Sequence, residues 1–146
     1  MKQNKRKNAQ RGLTLVELMV VIVILGLLST IVVINVLPAG DQAAVQKARS
    51  DISQLQAALA QYRLDVQTLP TQAQGLLALE NQPDGLRRPE RYRPGGYVNN
   101  VPDDPWGNAY IYIYPGEFGE FDILSYGRDG RPGGEGPDAD IGSWTQ

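Results

Sequence analysis

The residues best suited to chemistry in this chain of 146 are carboxylates. One of them, Glu17, interrupts an apolar run that continues to Leu37. Three others, Asp129, Asp138 and Asp140, are spread through a glycine-rich stretch from Tyr126 to Trp144. Spaced carboxylates in such a loop are hard oxygen donors. Calcium takes about six to eight oxygens from carboxylates and backbone carbonyls, and it tolerates the irregular geometry that glycines permit. Asp129, Asp138 and Asp140 are therefore candidate calcium ligands, while a solvated acidic turn is the plainer reading of an isolated Gly and Asp run. The region supports either reading, since Glu117, Glu120, Asp122, Asp129, Glu135, Asp138 and Asp140 face only Arg128 and Arg131 between positions 117 and 140.

Other chemistries are closed to the chain. It contains no cysteine and no histidine, which removes disulfides, thiolate metal sites, His-ligated zinc and Ser-His or Cys-His catalysis. Its net charge of −2 conceals a split, because Lys2, Lys5, Arg6, Lys7 and Arg11 precede the first acid. The basic surplus is thus a local address signal and not a nucleic-acid footprint, and no nucleic-acid partner is expected.

These residues need elements to position them. From Leu13 to Leu37 a helix would extend roughly 37 Å at about 1.5 Å per residue, enough to cross a bilayer. The cations lie before it, so the positive-inside rule keeps the N-terminus cytoplasmic and exports the remainder. A secretory signal peptide would also begin with basic and then apolar residues, but its apolar core is usually about 7 to 15 residues, which this run exceeds. A plain anchor would have no use for Glu17. A carboxylate at membrane depth costs up to a few kcal/mol and requires a partner.

After Pro38-Ala39-Gly40, where an interruption or kink is expected, Asp41 can cap a further helical stretch. Val45, Ala48, Ile52, Leu55, Leu59, Tyr62 and Val66 recur at alternating spacings of 3 and 4, which specifies one apolar stripe. Gln46, Lys47, Arg49, Ser50, Asp51, Gln54, Gln56 and Arg63 then occupy the rest of the surface. The stripe suits packing against a small sheet, although a short coiled coil shares the pattern. Pro70 stops the helix and Thr71 can cap a short second one. Residues 80–96 carry Arg87, Arg88, Arg91 and Arg93 in a Pro- and Gly-rich loop, either solvated or facing an acidic neighbour. Pro102-Asp103-Asp104-Pro105-Trp106-Gly107 is a turn in which Asp side chains bond nearby amides and Trp106 plugs a core edge. Positions 109–114 alternate Tyr with Ile as a half-buried strand, 121–126 form its hairpin partner, and Tyr97 and Val98 are expected in a third extended segment.

Arg11-Gly12-Leu13-Thr14-Leu15-Val16-Glu17-Leu18 resembles the processing site of type IV pilins and type II secretion pseudopilins. The resemblance implies cleavage between Gly12 and Leu13 by a prepilin peptidase, with methylation of the new N-terminus. The family usually begins with Phe where this chain has Leu13. Cleavage would create an α-amino cation, and Glu17 could pair with the amine of Leu13 on a neighbour or on its own chain, offsetting desolvation and fixing the register of adjacent helices. The segment from Leu69 to Leu79, the Pro-Trp-Gly turn and the acidic loop are similar to those of major pseudopilins, the general secretion pathway protein G family. That likeness implies a calcium-bound C-terminal loop with backbone carbonyls near Tyr126 and Arg131 as further ligands. Relatives often have adjacent acids before Ile-Gly, where this chain has Asp138-Ala139-Asp140.

The expected architecture is α+β: a long N-terminal helix, with a transmembrane half and an amphipathic half, packed on a small antiparallel sheet with a C-terminal calcium loop. Residues 1–12 would be a cleaved leader, 13–37 the transmembrane and assembly helix, and 38–146 a periplasmic domain. The resemblance implies a major pseudopilin of the bacterial inner membrane, a non-enzymatic subunit that polymerises into a periplasmic pseudopilus driving export of folded proteins. Its implied partners are copies of itself, the prepilin peptidase, minor pseudopilins, the inner-membrane assembly platform and membrane lipid. A type IV pilin for adhesion, motility or DNA uptake is the alternative, though such pilins commonly close their C-terminal region with a cysteine pair that is missing here. A membrane-anchored metal-dependent hydrolase would need a base, a nucleophile and a pocket that no motif supplies.

Overall fold

The computed structural model describes residues 14–145, with the backbone alone at 29–39. The chain divides into two units, residues 1–39 and 40–146. A single α-helix, α1 (Leu15–Val66), contributes to both. Pro38 and Gly40 therefore do not interrupt the helix as expected. A proline removes one main-chain donor, and helix-forming Leu37, Ala39, Ala43 and Ala44 around it keep the helical path. Asp41 consequently lies inside α1 and not at a cap.

In the first unit, Thr14 caps α1: its Oγ1 accepts from the Glu17 amide at 3.3 Å and its carbonyl accepts from the Leu18 amide at 3.2 Å. This is half of a capping box, with Glu17 in the first turn, where a carboxylate also complements the helix dipole. The large apolar side chains from Leu15 to Leu28 are all exposed. Among the described residues, no helix is long and apolar enough to cross a membrane.

In the second unit the stripe at Ala48, Ile52, Leu55, Leu59, Tyr62 and Val66 is buried within one core with Leu69, Leu76, Leu79, Tyr92, Tyr110, Tyr112, Ile123 and Ile141. The helix thus packs on its own domain's sheet and loops. Burying each large side chain of this kind contributes about 1.5–3 kcal/mol. Asp51 is the exception to the outward assignment of polar residues. It is buried, accepts from the Tyr110 hydroxyl at 3.0 Å, and pairs with Lys47 at 2.5 Å.

α1 ends when Gln67 turns to φ 66°, ahead of Pro70. Thr71 Oγ1 accepts from the Gln74 amide at 3.3 Å, capping a turn that leads into a 3-10 helix at Leu76–Leu79. The sheet has three antiparallel strands in the order β1 (Ile111–Ile113), β2 (Asp122–Ser125), β3 (Ile141–Gly142). Ile111 pairs with Leu124, and Leu124 with Gly142. The tyrosines of the Tyr-Ile alternation form the inward row, with Tyr110 and Tyr112 buried. Tyr97 and Val98 do not supply the third strand. Their amides donate to the Leu79 carbonyl, at 2.7 and 3.3 Å, so they close the 3-10 helix instead.

Candidate functional site

The turn at 102–107 fixes one side of the acidic loop. Asp104 Oδ1 accepts from the Trp106 and Asn108 amides at 3.1 and 2.8 Å, and its Oδ2 accepts from the Ser125 hydroxyl at 2.5 Å. Ser125 Oγ in turn accepts from the Gly127 amide at 3.1 Å, so the buried Asp104–Ser125 pair sets the point where β2 enters the loop. Asp122, also buried, accepts from the Glu117 and Phe118 amides at 2.6 and 2.9 Å and closes the β1–β2 hairpin. Phe118 at that hairpin's tip stacks on Trp144, centroids 4.2 Å apart, which covers the chain just beyond β3.

Between Tyr126 and Asp140 the backbone doubles back on itself. A Cβ on Gly134, at φ 90°, would meet the Asp138 carbonyl oxygen at 2.2 Å, and one on Gly127, at φ 69°, would meet the Ala139 and Pro137 carbonyls at 2.8 Å. Only glycine permits both the left-handed backbone and the close approach. The loop's crossing is thereby written into two residues.

The three acids expected as ligands are each engaged by protein donors. Asp129 Oδ1 accepts from the Arg131 amide at 3.1 Å. Both oxygens of Asp140 accept from the Gly133 amide at 3.0 Å. Asp138 takes a two-point ion pair from Arg128, Nε to Oδ1 at 2.9 Å and Nη2 to Oδ2 at 3.0 Å. The third arm of the guanidinium, Nη1, donates to Asp41 on α1 at 3.1 Å. Hydrogen bonding and charge from Asp138 push the Arg128 pKa up, with Asp41 adding to the effect. Tyr126 follows β2 at the loop entrance, and Arg131 is exposed at its outer turn.

Carboxylates and backbone carbonyls are the oxygen donors that a hard cation takes. Among the described residues, no three acids are gathered as a metal-holding group. The role of Arg128 was not visible in the sequence, where it counted only as one of two cations in an acidic region. Its spacing from Asp138 could have suggested a pair, but nothing local points to Asp41, 87 residues away.

Of the N-terminal positions, Glu17 is exposed at the start of α1, and Gly12 and Leu13 lie outside the described residues. The polar loop of arginines is partly tied down in the second unit. Arg93 pairs with Asp65 at 3.3 Å and Arg88 donates to Gln67 at 3.2 Å.

Comparison with known proteins gives consistent results. The family model described as type II secretion system (T2SS), protein G matches residues 35–144, and the prokaryotic N-terminal methylation motif matches residues 7–33, a span that includes Gly12, Leu13 and Glu17. The type II secretion system core protein G of Vibrio cholerae is 49% identical over 97% of this chain and 96% of its own length. That of Aeromonas hydrophila is 50% identical over 96% of both. The crystal structure of the major pseudopilin from the type 2 secretion system of enterohaemorrhagic Escherichia coli superposes with a TM-score of 0.65 at 42% identity, covering 77% of this chain and 96% of that one.

Proposed function

This chain belongs to the type II secretion system protein G family, and from that premise we propose that it is a major pseudopilin, a structural subunit and not an enzyme, that polymerises into a periplasmic pseudopilus driving export of folded proteins across the outer membrane. The observation that carries this reading is the exposed apolar surface of α1's first half. Leu15 is 74% exposed, Ile22 67% and Leu27 64%, whereas the second unit closes its own core. An uncovered apolar helix is stable only against lipid or against other such helices, which suits an anchored subunit that later joins a bundle of copies. Membership of the protein G family favours secretion over the adhesion, motility or DNA uptake of type IV pilins.

In this reading residues 13–37 hold the chain in the inner membrane with the N-terminus cytoplasmic, and residues 38–146 lie in the periplasm. The prepilin peptidase cuts between Gly12 and Leu13, within the matched methylation motif. Glu17 guides assembly by meeting the new amine of Leu13, on a neighbour or on its own chain. Minor pseudopilins and the inner-membrane assembly platform complete the partners. Complementation tests the proposal: in a bacterium whose own protein G gene is deleted, the full chain restores export of the secreted proteins. Restoration by Glu17→Ala to the same level would remove the assembly role of that carboxylate.

The same proposal includes calcium at the C-terminal loop. Asp129, Asp138 and Asp140 would hold it with the carbonyls of Tyr126 and Arg131. Bound there, the ion supplies the positive charge that draws mutually repelling carboxylates together. Support comes from the oxygen-rich donor set and from the glycines that let the two limbs of the loop approach.

A further inference from the structure

Among the acids of the loop, Asp129 and Asp140 receive backbone amides, and only Asp138 receives a side-chain cation. Arg128 uses each of its three guanidinium nitrogens on one of two carboxylates far apart in the chain, the pair to Asp138 being of the two-point kind that fixes orientation as well as charge. Its own amide also donates to the Pro137 carbonyl at 3.0 Å. One residue thus joins the outgoing limb of the loop to the returning limb, and joins both to Asp41 on α1.

We propose that Arg128 is the loop's resident cation: it closes the loop and fastens it to α1 through Asp41, and a divalent ion takes Asp138 only by displacing it. This inference rests on the calcium reading given above. Both oxygens of Asp138 are committed to the guanidinium, so a metal cannot coordinate either without weakening that pair. A guanidinium left beside a bound divalent ion also repels it. A chain with a neutral residue at this position would present Asp138 free. Arg128 therefore lowers the loop's affinity for calcium while keeping the loop closed in its absence, and the site becomes an exchange between an internal and an external cation.

The test is calorimetric titration of calcium chloride into the full chain in detergent micelles, for the unaltered protein, Arg128→Gln and Arg128→Lys, with amide hydrogen exchange of residues 127–140 measured without calcium. Arg128→Gln is expected to bind calcium roughly tenfold more tightly and to exchange its loop amides faster when calcium is absent. Arg128→Lys keeps the charge and loses the fork, so its affinity falls between the two. A purely structural arginine predicts the opposite sign, since a loosened loop would bind calcium more weakly. Equal or weaker binding by Arg128→Gln, beside measurable binding by the unaltered chain, overturns the inference and leaves the calcium reading intact. Absence of binding by all three chains overturns the calcium reading and the exchange with it.

Discussion

The Tyr62 hydroxyl is buried without a hydrogen-bond partner among the described residues, enclosed by the rings of Tyr92 and Tyr97. Burial pushes its pKa up to about 12, with Tyr97 and Tyr92 adding to the shift. The neutral form is thus favoured in the folded state over the unfolded state, where tyrosine titrates near about 10. Stability from this difference is fully present below pH of about 10 and is lost as pH rises toward about 12. Burial raises Tyr110 and Tyr112 in the same direction. Thermal unfolding of the chain is therefore expected to shift to lower temperature across that window. Tyr62→Phe should flatten the decline and, by removing an unpaired buried hydroxyl, stabilise the protein at neutral pH by about 1 kcal/mol. Destabilisation of Tyr62→Phe at neutral pH would show that the hydroxyl has a partner. By contrast, the Tyr110 hydroxyl is bonded to Asp51, so Tyr110→Phe is expected to destabilise by about 1.5–3 kcal/mol in the same melts.

At the scale of elements, local pattern was enough for the amphipathic half of α1, for β1 and β2, and for the Asp104 turn. Each of these depends on a period or a turn chemistry spanning a few neighbours. What the pattern missed depends on contacts between distant positions. Asp51 looked like a surface residue because it falls off the stripe, and its partner Tyr110 comes 59 residues later. Gln72 carries no local signal, yet its side-chain amide donates to the Tyr112 carbonyl at 2.8 Å and accepts from the Tyr114 amide at 2.7 Å, covering the free edge of β1 as a strand would. The third strand was hidden because Ile141–Gly142 is two residues long and half glycine. The helix passes through Pro38, which local rules mark as a break. The loop from Tyr126 to Asp140 was legible as a candidate cation site by composition, but the engagement of Asp138 by Arg128 was not. Two outcomes belong to this element. Gly134→Ala should lower stability by about 1–3 kcal/mol or more in denaturant melts, from the positive φ and the clash with the Asp138 carbonyl. Calcium at about ten times its dissociation constant should raise the melting temperature by roughly 6–11 °C over chelator, and identical melts would remove the ion from the account.

For the whole molecule, the sequence supplied an apolar helix with one carboxylate and a domain with its own core, and the large apolar side chains of the first are exposed from Leu15 to Leu28. In the proposed reading the exposed side chains from Leu15 to Leu28 form the surface that lipid, and then other copies, would cover. Glu17 stands in the first turn of α1, and in the proposed reading it is the carboxylate that sets register between copies. The family and its secretion role were legible because motifs at both ends of the chain, the methylation motif and the acidic loop, occur together with the Pro-Trp-Gly turn. The most direct measurement is electron microscopy of material sheared from cells that make the full chain together with a complete type II secretion machine, with N-terminal sequencing of the same material. The account predicts filaments built from this chain, each subunit beginning at Leu13. A chain that remains uncut at Gly12 and unpolymerised in the presence of the whole machine would contradict it.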